Sequence, residues 1–126
     1  MFGGTTLDKK STDITLKILK ILDDKKALDI KGLYVGELTT VADYFVIASG
    51  TSTTHVKSLC DEISEKLAED GVYVNHIEGY NSATWILMDY GSIVVHIFTK
   101  DERSFYSLER LWGDAKEIAL DNALSD

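Results

Sequence analysis

Apolar positions along this chain keep to two periods, and the switches between them mark the elements. After Asp13, the residues Ile14, Ile18, Ile21 and Leu22 recur at helical spacing, which predicts a helix over 14–27 with one apolar stripe. The twelve residues before it, MFGGTTLDKKST, read as loose. ALDIKGLYVGEL alternates imperfectly and holds two glycines, the pattern of a strand with a turn or bulge near Gly32 or Gly36. Residues 42–49, ADYFVIAS, are apolar on both faces and predict a central strand. Val56, Leu59, Cys60, Ile63 and Leu67 then return to one helical face, predicting a helix over 52–70 that stops at Gly71.

VYVNHIEG reads as a strand, TWILMDYGSIVVHIF as a hairpin and DERSFYSLERLWG as a helix. Thr99 and Glu102 have capping-box spacing at the start of that helix, and Phe105, Leu108, Leu111 and Trp112 share one side of it. The tail AKEIALDNALSD reads as a short or frayed helix, its acidic end solvated. The order α-β-β-α-β-β-β-α predicts an α/β fold, a mixed sheet of about five strands flanked by helices. With no repeat, no proline and no linker, one domain over 1–126 is expected, with 1–12 and about 116–126 loose.

The hairpin carries the first candidate chemistry. A two-residue Tyr90-Gly91 loop pairs Asp89 with Ser92 and Trp85 with His96. Trp85, Leu87 and Asp89 then share a face with Ser92, Val94 and His96, and a slip of one residue separates the two sets. His96 beside Asp89 has the makings of an acid–base pair, yet no serine or cysteine nucleophile stands beside them. Two readings stay open here: a hydrogen-bonded sheet histidine with a core tryptophan, or an exposed aromatic site.

The stretch SGTSTTHVKS, a strand end followed by a helix start, raises the possibility of a phosphate turn. A P-loop needs a second glycine and a lysine at set positions, and neither is present. A nucleotidyltransferase needs two nearby aspartates on a strand to hold metal, and no Asp-x-Asp follows. Thr51 or Ser52 is instead placed to cap the helix, and Gly50 to let the chain turn.

Charge narrows the partner. Thirteen basic and twenty-one acidic residues give a net charge of −8. That disfavours a surface built on phosphate neutralisation, so little direct nucleic-acid contact is expected, and it favours a basic protein partner. The lone Cys60 sits among apolar helix positions as a buried small hydrophobe. His55, His76 and His96 show no zinc-ligand spacing, and no cofactor or metal is expected. No apolar run approaches the roughly 20 residues that cross a bilayer, so no membrane is expected. The N-terminus lacks a signal core, and the cytoplasm is the expected location.

ADYFVIASGTSTTHVKSL, EGYNSATWILMDYGSIVVHIF and SFYSLERLWGDA resemble the ribosomal silencing factor family, also called the Iojap family, over residues 28–115. The resemblance implies a nucleotidyltransferase-like fold without its catalytic residues, and no enzyme activity. It implies binding to the large ribosomal subunit, chiefly through its ribosomal protein fourteen, and steric exclusion of the small subunit. It also implies a homodimer when free; relatives in organelles imply a role in large-subunit assembly. Matching positions, together with the aromatic–acid mixture, place the partner surface on Trp85, Asp89, Tyr90, His96, Tyr106, Glu109 and Trp112. The resemblance also implies an acid in many relatives where this chain has Ser92; if that acid meets a basic partner residue, the contact is weaker here or supplied by Asp89.

Overall fold

The computed structural model describes the backbone at residues 2–106, 113 and 115–118, with side chains at 10–103, 113 and 115–118. The elements run α1 (Phe2–Asp24), β1 (Leu28–Tyr34), β2 (Tyr44–Gly50), α2 (Thr53–Glu69), β3 (His76–Glu78), β4 (Trp85–Asp89), β5 (Ile93–Thr99), α3 (Lys100–Tyr106) and β6 (Lys116–Ile118). Among the described residues the strands form one six-stranded sheet in the order β3-β4-β5-β2-β1-β6. β2 pairs in parallel with β5, and the other pairs are antiparallel.

The strong apolar run lands where its composition predicts. All seven residues of β2 are buried, and the strand lies between β5 and β1. Strand side chains alternate between faces, so each central strand feeds two cores. Tyr44, Val46, Ala48, Ile86, Met88, Ile93, Val95 and Ile97 meet the apolar stripes of α1 and α2. Phe45, Ile47, Val94 and Phe98 form a second cluster with Leu33 and Val35, and Trp85, Leu87 and Ala115 pack against it. α3 covers part of this second face, where the Arg103 guanidinium donates to the Ser49 hydroxyl at 3.1 Å.

α2 follows its predicted bounds closely. The Ser52 hydroxyl caps it by accepting from the His55 amide at 3.1 Å, and Gly71 follows its end at φ 79°.

Three expectations are corrected. The helix predicted from 14 begins at Phe2, so residues 2–12 are helical rather than loose. Tertiary bonds hold the last two of these residues: the Ser11 hydroxyl meets that of Ser92 at 2.8 Å, and the Thr12 hydroxyl meets that of Tyr44 at 2.6 Å. The tail contributes a sixth strand, because Lys116, Glu117 and Ile118 pair with Tyr34, Leu33 and Gly32 along an otherwise open edge. The irregularities expected near the two glycines of this stretch do occur: the chain turns at Gly36, and β1 has a bulge between Leu28 and Lys31, next to Gly32, where Asp29 takes φ 48°. The hairpin loop is Gly91-Ser92, since the Tyr90 amide donates to the Ile93 carbonyl at 2.9 Å and Gly91 adopts φ 88°. Asp89 therefore pairs with Val94, Leu87 with His96 and Trp85 with Phe98. The shift from the predicted register is two residues, an even number, so every side chain keeps its predicted face.

Gly79 sets where β4 begins. It lies at φ 81°, and a Cβ there runs into the Trp85 carbonyl oxygen. Gly71 has a similar φ of 79° but no atom within 4 Å of its virtual Cβ. Gly71→Ala is expected to cost about 1 kcal/mol of stability from backbone strain alone. Gly79→Ala is expected to cost at least about 2 kcal/mol more, because the steric clash adds to the strain. Urea unfolding of both variants checks this, and equal losses would contradict the clash.

Candidate functional site

The turn that resembles a phosphate site is filled from within. The Thr51 amide donates to His55 Nδ1 at 3.0 Å, and the Val56 amide to the Ser52 carbonyl at 3.0 Å. With Nδ1 accepting, His55 Nε2 carries the proton and donates to the Lys25 carbonyl at 3.0 Å. The imidazole thus ties the start of α2 to the end of α1. Gly50 serves packing, since a Cβ there comes within 2.9 Å of Val56 Cγ2. Thr51, Ser52 and His55 together make a capped helix start.

The second sheet face gathers the aromatic residues. Trp85, on β4, is partly buried and stacks on Phe98 of β5, the centroids 4.9 Å apart and the planes 30° apart. Its indole Nε1–H donates to His96 Nδ1 at 3.2 Å, a diagonal contact across the hairpin. His96 is 6% exposed, and its ring meets Phe45 edge-on at 5.1 Å. Indole N–H is a donor only, so His96 is neutral with its hydrogen on Nε2, and that atom has no hydrogen-bond partner among the described residues. Burial pushes the His96 pKa down to about 4.

The seven residues predicted for the partner surface do not all share this face. Trp85 and His96 do, with His96 lying beneath the surface. Asp89 shares it by alternation, but its carboxylate accepts the Gly91 amide at 2.7 Å and stabilises the turn. Tyr90 lies on the opposite face, against the core beneath α1 and α2. Burial raises its hydroxyl to about 12. The α3 backbone places Tyr106 in its last turn. Glu109 and Trp112, with the rest of the predicted helix, lie outside the described residues.

Sequence reasoning missed the ties that hold the hairpin tip. Besides the Ser11 contact, the Ser92 carbonyl accepts from the Asp43 and Tyr44 amides at 2.8 and 3.0 Å. Ser92 is therefore part of the scaffold. No hydrophobic period could have revealed it.

Burial also accounts for the thiol. Cys60 is buried in α2, and desolvation, followed by the nearby Asp61, raises it to about 11. It packs as a small hydrophobe in the α2 stripe. Among the described residues no cluster of three His, Cys, Asp or Glu could hold a metal ion, and no helix is long and apolar enough to cross a membrane.

A sheet domain with its phosphate turn closed and an aromatic patch on one face has the geometry of a partner-binding module. Residues 8–126 match the family described as "Ribosomal silencing factor during starvation", and the chain belongs to that family. It is 47% identical over 108 residues to the ribosomal silencing factor RsfS of Bacillus subtilis, covering 82% of this chain and 92% of that protein. It is 33% identical over 99 residues to the mouse protein named mitochondrial assembly of ribosomal large subunit protein 1, covering 75% of this chain and 43% of that one. The crystal structure of protein CV0518 from Chromobacterium violaceum superposes with a TM-score of 0.78 at 35% identity, covering 81% of this chain and 85% of that one. Proteins of the family are named as silencing factors rather than enzymes, and this chain is a non-enzymatic factor of the same kind.

A pH dependence follows from the buried imidazole. His96 has a pKa of about 4 when folded and an ordinary value of 6.5 when exposed, so the unfolded chain binds the extra proton between these values. Its contribution is complete above pH 6.5 and is lost as pH falls towards 4, a change of about 3 kcal/mol. Urea unfolding across that range should show His96→Asn losing less stability on acidification than the native chain. Identical pH slopes would contradict a buried neutral imidazole.

Proposed function

We propose that this protein binds the large ribosomal subunit, chiefly through its ribosomal protein fourteen, and sterically blocks joining with the small subunit. The observation that carries this reading is the family match over 8–126, whose description names silencing of the ribosome during starvation. The chain's own chemistry supports it. A net charge of −8 suits a basic ribosomal protein better than bare RNA. Trp85 offers a partly exposed aromatic anchor, a residue type that dominates interface energies, on the face that the acidic Asp89 shares at the other end of β4.

In this reading Trp85, Tyr106, Glu109 and Trp112 meet the partner, while Asp89 and His96 shape the surface that does so. The protein acts in the cytoplasm and is a homodimer when free. A second reading, large-subunit assembly factor, draws support from the mouse relative's name. It uses the same face and the same partner, and deletion cells would then accumulate immature large subunits.

Co-sedimentation with purified large subunits tests the contact. Trp85→Ala is expected to weaken binding about thirtyfold, equivalent to about 2 kcal/mol, with the fold retained by circular dichroism. Undiminished binding by a folded Trp85→Ala protein would remove Trp85 from the interface.

A further inference from the structure

His96 is buried on a face where its neighbours are apolar. Phe45 and Phe98 flank its ring, and Leu87 stands opposite it on β4. Valine or phenylalanine, as at positions 94 and 98 on the same face of the strand, would fill such a site without a polar atom. The imidazole instead leaves its Nε2–H without a partner among the described residues, an unfavourable arrangement that needs a compensating interaction. The other ring nitrogen provides one, since it accepts the indole N–H of Trp85 at 3.2 Å. A partly buried indole needs an acceptor for that hydrogen. The stack on Phe98 restrains the indole plane, and the hydrogen bond restrains rotation within that plane.

We infer that His96 is a positioning residue, buried beneath the binding face, whose Nδ1 holds the Trp85 indole in one orientation before the partner arrives. This rests on the reading of Trp85 as an interface anchor and goes beyond it, because His96 then acts without touching the partner. An anchor fixed in advance loses less conformational freedom on binding, so the hydrogen bond strengthens association. A side chain that fills the space but cannot accept at the Nδ1 position leaves the indole N–H without its partner. Asparagine can place an oxygen near that position, and phenylalanine cannot.

The test uses the full-length protein labelled with nitrogen-15. Long-range proton–nitrogen spectra at neutral pH are expected to show His96 with a bare Nδ1 and a protonated Nε2. The Trp85 indole resonance, assigned by its loss in Trp85→Phe, is expected downfield and slow to exchange. His96→Phe should move that resonance upfield and weaken large-subunit binding about fivefold, the scale of one neutral hydrogen bond. His96→Asn should recover most of both. A hydrogen on Nδ1 in the native protein would overturn the proposal, and that reading needs no variant to fold. An indole resonance and affinity unchanged in folded His96→Phe would overturn it as well. If Trp85→Ala binds large subunits normally while the tautomer and resonance behave as expected, the positioning stands and the anchor role of Trp85 falls.

Discussion

The parallel pairing of β2 with β5 is the constraint on which the rest of the structure depends. Seven residue pairs, from Tyr44 with Ile93 to Gly50 with Thr99, hold the two strands in register. Six of the seven residues of β5 and all of β2 are buried, so neither strand can slip by one residue without exchanging its two cores. From this pair the functional face follows. Even positions of β2 and odd positions of β5 point towards α1 and α2. The opposite sets place Phe45, Phe98 and His96 side by side beneath Trp85. The imidazole is deep because a strand distant in sequence supplies Phe45.

Elements with a strong local pattern were legible from residues alone. β2 announced itself through an unbroken apolar run, and α2 through its stripe from Val56 to Leu67 and the Ser52 cap. Elements held by few or distant contacts were not. The stretch before Ile14 shows no stripe, and its Ser11 and Thr12 hydroxyls meet Ser92 and Tyr44 far along the chain. β6 has three residues, too short for any period, and exists because β1 offers an edge. The hairpin loop could fall on Tyr90-Gly91 or Gly91-Ser92, since Gly91 fits a tight turn in either. Backbone pairing of Tyr90 with Ile93 selected the second.

The same distinction divides the candidate site. Trp85 was identifiable as an aromatic beside acids at a hairpin, and alternation put His96 on its face. Tyr90 was misplaced because a residue read as lying in a loop has no assigned face. As the end of a paired strand, it follows Met88 towards α2. The part of Asp89 in closing the turn, and of Ser92 in anchoring α1, depends on contacts that composition cannot show. Family resemblance could point to these positions but not say which of them touch a partner and which hold the surface together.

In the proposed function this acidic sheet domain keeps the two ribosomal subunits apart by occupying the large one. Light scattering of purified subunits tests it most directly, with the protein pre-mixed with either subunit before joining is started. The account predicts that the association signal is lost when the protein meets large subunits first and persists when it is removed with small subunits alone. An undiminished signal with the protein bound to large subunits would contradict the blocking mechanism and favour a role in subunit assembly.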